Sequence, residues 1–250
     1  MIRTAGRFLS YGEVWFDEAP SGPTPDILIF RQRFTTEAVT RATQFLSLVN
    51  DLTPAEHNLW QAIDKTTRYD IRRAEAKDGL TCEQRAQPSK NDIEEYAAFY
   101  DEFAASKKLG AGSKKWLVAA ADAGRLHLSS VRCNDAIVVR HAYVACGANI
   151  RLYQSAQRIA VEISGAPQLA GRANRFLHWR DMIEFKRRGF TNYDWGGIAP
   201  SPQSTALRNI NRFKREFGGL ERIYYDWIAP GSLLGRLYMR VRVVREFVNI

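Results

Sequence analysis

Residues 125–157 restrict the fold of this chain more than any other stretch. Three runs of branched and aromatic residues follow one another there: 125–133 (RLHLSSVRC), 136–146 (AIVVRHAYVAC) and 150–157 (IRLYQSAQ). Turn residues separate them, Asn134-Asp135 and then Gly147-Ala148-Asn149. Short runs with such punctuation predict three successive antiparallel strands. A sheet with this meander at its centre needs other elements to cover its faces.

The rest of the chain supplies them. Downstream, a helix is predicted from about 172 to 188, with Phe176, Leu177, Trp179, Met182, Ile183 and Phe185 on its apolar face. Lys186, Arg187 and Arg188 complement the negative end of its dipole, and Gly189 supplies a left-handed stop. A strand over 190–198, a helix over 204–217 and a last strand over 221–228 follow. Ala206, Leu207, Ile210, Phe213 and Phe217 are expected to face the core from that second helix. Upstream, 91–107 has an apolar face of Ile93, Tyr96, Ala97, Tyr100 and Phe103 at helical spacing, with Asn91 or Asp92 as cap. A short helix is expected over 114–123, and another over 59–80, where Arg68, Arg72, Arg73 and Lys77 are interleaved. At the start, 8–16 and 26–34 read as a strand pair joined by the breaker stretch 20–25, followed by a helix over 36–49 through Ala38, Ala42, Phe45 and Val49. The alternation of helix and strand after the meander makes this an α/β fold around a central mixed, twisted sheet flanked by helices. The boundaries expected are an N-terminal strand-pair/helix extension (1–60), a main domain (61–228) and a C-terminal basic amphipathic helix (229–250).

With 45% hydrophobic and 25% charged residues in 250, the composition is that of a globular protein, and 9 prolines and 17 glycines argue against a disordered or fibrous chain. Three cysteines, Cys82, Cys133 and Cys146, form no CxxC pair and leave an odd count, which favours a reducing cytoplasm. No secretory leader and no membrane span is expected. The net charge of +9 makes anionic partners plausible: phosphates, nucleotides, tRNA or an anionic bilayer.

Several chemistries lack their motifs. There is no GxGxxG, GxxxxGK[ST], HExxH or GxSxG, and the four histidines (57, 127, 141, 178) have no metal-ligand spacing, so no metal is expected. The informative run is Gln168-Leu-Ala-Gly171-Arg172-Ala173-Asn174, read as a loop opening a helix. A glycine there permits close approach of a ligand, and the helix N-terminus favours an anion such as a pyrophosphate.

That run resembles the acyl-CoA pyrophosphate loop of the GNAT acyltransferase superfamily, and the order of elements agrees. Two further stretches are similar to one branch, the Fem-type acyl- and aminoacyltransferases: Gly189-Phe-Thr-Asn-Tyr-Asp194-Trp195-Gly196-Gly197 and Phe213-Lys214-Arg-Glu-Phe217-Gly218-Gly219. Tyr69-Asp-Ile71-Arg72-Arg73-Ala74-Glu75 resembles the basic helix before the catalytic half of those proteins. The resemblance spans roughly residues 66–228 and implies a GNAT fold. It also implies transfer of an acyl or aminoacyl group to an amine by direct attack in a ternary complex. The chain is too short for two complete GNAT-like units, which separates it from the Fem pattern.

The resemblance implies an acyl-CoA co-substrate on Gln168, Gly171, Arg172, Ala173 and Asn174, with aminoacyl-tRNA as the alternative donor. Asp194 is either a base, an acceptor-orienting carboxylate or a turn cap. His141 is either a base or a hydrogen-bonded strand histidine. Lys214 is either a carbonyl contact or a solvated helix lysine. Arg72 and Arg73 are candidates for a phosphate-bearing acceptor, and Trp195, Gly196 and Phe213 for the substrate wall. Tyr143 and Tyr153 are expected to pack. The acceptor expected is a small-molecule or lipid-linked amine on a surface-polysaccharide or metabolite precursor. In 229–250, Leu233, Leu237, Val241, Val244 and Val248 align among arginines, which suits either docking on the domain or contact with an anionic inner membrane. A basic binding module without catalysis is the remaining alternative.

Overall fold

The computed structural model describes residues 1–36, 41–158 and 168–248, with side chains through residue 241. The chain begins with strands β1 (Ile2–Ala5), β2 (Ser10–Trp15), β3 (Ile27–Arg33) and β4 (Thr43–Asp51), then helices α1 (Glu56–Ala62) and α2 (Lys65–Lys77). Next come β5 (Leu80–Arg85), α3 (Lys90–Ser106), α4 (Lys114–Asp122), β6 (Leu126–Cys133), β7 (Ala136–Cys146) and β8 (Asn149–Gln157). The order closes with α5 (Leu169–Arg187), β9 (Asn192–Gly197), α6 (Thr205–Arg215), β10 (Leu220–Pro230) and α7 (Leu233–Val248). Two compact units result, one of residues 46–222 and one of residues 1–45 with 223–250.

In the larger unit the strand order is β4-β9-β8-β7-β6-β5. The predicted meander β6–β7–β8 is there and antiparallel, and β9 joins it in parallel beside β8. Alternation along β7 sends Arg140 to one face, where it pairs with Glu95 of α3 at 3.0 Å. His141 and Tyr143 go to the other face, under α5. Val138, Val139, Val144, Ile150, Leu177, Met182 and Phe185 fill the core between strands and helices.

Four local expectations are corrected here. Residues 43–51 form a strand, not the end of a helix; Ser47–Asn50 are buried on both faces, which erases the alternation that marks a strand. Residues 37–40 of that expected helix lie outside the described residues. The helix expected over 59–80 is broken into two, α1 and α2, and ends at Lys77. Ile63 adopts an extended backbone, and Asp64 caps α2 by accepting from the backbone N–H groups of Thr66 and Thr67. The cap of α3 is Ser89, not Asn91 or Asp92; Asp92 is the N3 partner in a reciprocal box with it. Finally, α5 begins at Leu169, so Gly171–Asn174 lie in its first turns and not in a loop.

The smaller unit orders its strands β1-β2-β3-β10. The runs at 8–16 and 26–34 do pair, but in parallel, and β10 then lies antiparallel on β3. Asp226 of β10 accepts from the Gln32 backbone N–H at 2.7 Å and from Arg31 at 3.1 Å. Phe16 and Tyr224, both buried, meet edge to face at 5.8 Å. On α7, Leu233, Leu237 and Val241 are exposed. Among the described residues no helix is long and apolar enough to cross a membrane.

Candidate functional site

β8 and β9 pair over only three positions, ending at Arg151 and Asp194. Beyond that point β8 continues to Gln157 and β9 to Gly197 without further pairing to one another. Two parallel strands that part in this way leave main-chain groups between them and make room for a ligand. A cavity of about 770 Å³ opens there. Its wall includes Arg151, Tyr153 and Gln154 of β8, Trp195, Gly196 and Gly197 of β9, Gly171, Asn174, Arg175 and His178 of α5, and Ile210, Phe213 and Lys214 of α6. The end of α3 adds Phe103 and Lys107.

Helix α6 explains part of that shape. Its apolar stripe was expected to enter the core, yet Leu207 and Ile210 are 42% and 48% exposed. Ala206, Ile210 and Phe213 line the cavity, and of the five stripe residues only Phe217 is fully buried. The amphipathic pattern is real, but its apolar side faces the open cavity.

Of the residues singled out from sequence, Gly171, Asn174, Trp195, Gly196, Phe213 and Lys214 meet in the cavity wall. A Cβ added at Gly171 would contact only Arg175 Nη1, at 3.6 Å, so protein packing does not demand the glycine. Gly196 does have a local demand. Its φ is +70°, and a Cβ would lie 3.2 Å from the Leu152 carbonyl. Asp194 secures this bend: its Oδ1 accepts from Ser47 Oγ at 2.6 Å and from the Gly196 N–H at 2.7 Å. Asp194 is buried and outside the cavity lining.

Lys214 Nζ donates to the Gly197 carbonyl at 2.8 Å. Burial, reinforced by nearby Arg151 and opposed by Asp194, pulls its pKa down to about 8. Trp195 packs its ring on His178 and Phe217 at 4.5 and 4.8 Å, and its indole N–H donates to Asn50 Oδ1 at 2.6 Å.

The other candidates stand elsewhere. Arg172 is committed to Asp78, donating from Nε at 2.7 Å and Nη2 at 3.1 Å. Ala173 is packed in the core, and Gln168 is exposed at the start of α5. Arg72 and Arg73 are exposed on α2 and do not line the cavity; the Arg72 guanidinium lies over the Trp60 ring at 5.2 Å. His141 is fully buried, with Nε2 2.8 Å from Asn174 Oδ1. Tyr143 does more than pack, since its hydroxyl donates to Asp181 Oδ2 at 2.6 Å. Tyr153 lies in the cavity wall and stacks on Trp116 at 3.9 Å. Burial pushes the Cys82 thiol up to about 12, which makes it a poor nucleophile.

Sequence reasoning missed Arg151, Arg175 and His178. The signal for His178 was available: Asn174, His178 and Asp181 are spaced by four and three, so polar residues recur along the buried stripe of α5.

No family model matches the chain, and no curated protein matches its sequence. Solved structures do. FemX superposes with a TM-score of 0.59 at 12% identity, covering 83% of this chain and 67% of that one. The C-terminal domain named for a lysylphosphatidylglycerol synthetase of Agrobacterium fabrum gives 0.53 at 17% identity, covering 87% and 72%. L-PGS from Bacillus licheniformis gives 0.53 at 16%, covering 86% and 72%. The chain therefore has a Fem-like mixed α/β fold.

Proposed function

We propose that this chain is an N-acyltransferase that moves an acyl group from acyl-CoA to an amine on a surface-polysaccharide or metabolite precursor. The observation that carries the reading is the cavity where β8 and β9 part, with Lys214 in its wall. Such a cleft offers main-chain groups to the donor and holds donor and amine side by side, which favours direct attack. In its protonated form Lys214 faces the carbonyl oxygen and stabilises the charge that develops there. Gly171 and Asn174, at the first turns of α5, would receive the anionic part of the donor. Asp194 acts through Gly196, and His141 through Asn174, as positioning groups.

An aminoacyl-tRNA donor is the second reading. It is favoured by the cations Lys107, Arg151, Arg175 and Lys214 around the cavity, which suit a polyanionic donor. A lipid-linked acceptor would meet the protein at an anionic membrane through α7, where Leu233, Leu237 and Val241 stand exposed beside Arg236 and Arg240.

Thermal unfolding against acetyl-, succinyl- and palmitoyl-CoA tests the donor, with lysyl-tRNA as a parallel arm. A ligand at about 100 times its Kd stabilises the fold by roughly 2.7 kcal/mol. A shift with a thioester that disappears in Gly171→Glu is the expected result. No shift with any thioester, together with salt-sensitive binding of lysyl-tRNA, would replace the first reading by the second.

A further inference from the structure

We propose that His178 is the general base of this cavity, held in one tautomer by a hydrogen-bonded relay through Tyr193 and Tyr143 to Asp181. The inference rests on the transfer reading above and names the group that takes the amine proton.

The relay lies between α5 and the face of the sheet that carries Tyr143 on β7 and Tyr193 on β9. Its far end is Asp181, which is completely buried. Its Oδ1 accepts from Gln84 Nε2 at 2.6 Å, and its Oδ2 from Ser129 Oγ at 2.8 Å, Tyr143 OH at 2.6 Å and His141 Nδ1 at 3.0 Å. A side chain accepting from this many donors is a carboxylate.

The directions of the remaining bonds follow by counting protons. Tyr143 has one hydroxyl proton, and it goes to Asp181. The 2.8 Å contact between the Tyr143 and Tyr193 hydroxyls must then use the proton of Tyr193. Tyr193 has no second proton, so its 2.7 Å contact with His178 Nδ1 uses the hydrogen of the imidazole. His178 is thereby fixed as the Nδ1–H tautomer, and Nε2 keeps its lone pair.

Geometry turns that lone pair toward chemistry. His178 lines the cavity, and among the described residues no hydrogen bond occupies Nε2. His141 stacks on His178 with ring centroids 4.1 Å apart, and Trp195 and Phe213 pack against it from β9 and α6. Burial, with His141, Lys214 and Arg175 nearby, holds the His178 pKa well below the ordinary histidine range, so the ring is neutral before substrate arrives. Both histidines are buried, His178 at 1% and His141 at 0% exposure; they differ in that His178 lines the cavity, whereas His141 does not and has its Nε2 against Asn174 Oδ1 at 2.8 Å.

The step balances as follows. The amine nitrogen forms a bond to the carbonyl carbon of the thioester, and the carbonyl oxygen takes the electron pair opposite Lys214. The amine proton passes to His178 Nε2. The imidazolium so formed keeps its Nδ1–H bond to Tyr193, and its charge is balanced through the relay by Asp181. The carbon–sulfur bond then breaks, and the leaving thiolate recovers the proton from Nε2. Tyr193, Tyr143 and Asp181 are positioning residues in this scheme, and His178 is the catalytic one.

The test begins with imidazole 15N shifts of the full chain, which require no substrate. Wild type should show His178 with a protonated Nδ1 and an unprotonated Nε2. Tyr193→Phe, which keeps the ring and removes the acceptor, should release the Nε2–H form. Diethyl pyrocarbonate should modify His178 in wild type at a rate that falls at least several-fold in Tyr193→Phe. An Nε2–H tautomer in wild type, or a His178 inert to the reagent, would overturn the proposal whatever the donor. The second arm follows thiol release from acetyl-, succinyl- and palmitoyl-CoA with ethanolamine as acceptor. There His178→Gln should lower kcat about 10²–10⁴-fold with KM unchanged, and an unchanged kcat would also overturn the proposal. A wild-type protein that turns over none of the thioesters counts against the transfer reading itself, while the tautomer arm still decides the relay.

Discussion

Replacing Asp181 by asparagine is the most direct probe of the buried network, because it removes the charge and almost nothing else. In the native protein three donors converge on Oδ2: Ser129, Tyr143 and His141. A hydrogen bond to a charged acceptor contributes about 1.5–3 kcal/mol and a neutral one about 0.5–1.5 kcal/mol. The loss is therefore about 1 kcal/mol per donor, or about 3 kcal/mol over the three. Gln84, which approaches Oδ1 at 2.6 Å, can turn its amide to accept from the new NH₂ and adds little. For a chain of this size about 3 kcal/mol corresponds to a fall in Tm of about 6–12 °C. Urea unfolding at unchanged m-value is the quantitative assay, with the melting temperature as a check. Asp181→Ala should cost more, since it leaves three buried donors without an acceptor. An Asp181→Asn protein within about 1 kcal/mol of wild type would refute the reasoning. Asp181 would then not be a charged anchor, and the proton count that orients His178 would lose its starting point.

Four further outcomes are expected. If Lys214 acts as a cation, transfer falls as pH rises through about 8, and Lys214→Arg moves that limb upward; a rate that instead rises through pH 8 excludes the role. The same depressed pKa means that the unfolded chain binds more protons than the folded one between about pH 8 and the ordinary lysine value, so stability should climb with pH across that window in wild type and not in Lys214→Met. Gly219→Ala should destabilise by several kcal/mol in denaturant titration, because φ is +90° and the new Cβ would lie 2.9 Å from the Val49 carbonyl. Gly79→Ala, at φ +60° in open space, should cost only about 1–2 kcal/mol. Sedimentation with anionic phosphatidylglycerol vesicles should recover the protein at low salt, and Leu233→Glu with Leu237→Glu should abolish recovery; equal binding to neutral phosphatidylcholine vesicles would exclude charge recognition through α7.

The sequence was informative where turn residues set off runs of branched and aromatic residues, as at β6, β7 and β8, or where apolar residues recur at helical spacing, as in α3, α5 and α6; these positions were legible within a few residues. Strand β4 was not, because Ser47–Asn50 are buried on both faces and show no alternation. Edge strand β5 was hidden for the opposite reason: its pattern alternates, but Leu80–Arg85 is short and mostly polar. In the site, the motif-bearing residues of β9 and α6 were found because they lie in contiguous stretches. The relay was not, since Tyr143, Asp181 and Tyr193 come from three elements and only the register of β7, α5 and β9 brings them together. Arg172 illustrates the reverse error. A cation near a helix N-terminus suggests an anion site, yet its fork is filled by Asp78.

The arrangement of the smaller unit also has a consequence for how the protein is made. Strand β3 waits for β10, whose register partners lie some 195 positions further along the chain, as the Arg31–Asp226 pair shows. On the ribosome, residues 1–36 emerge early with β3 presenting an unpaired edge while everything through α6 is still being synthesised. Such an edge invites pairing with another nascent chain. A trimmed version ending at Arg222 would leave that edge open permanently. It should aggregate on expression even though residues 46–222 hold the whole cavity.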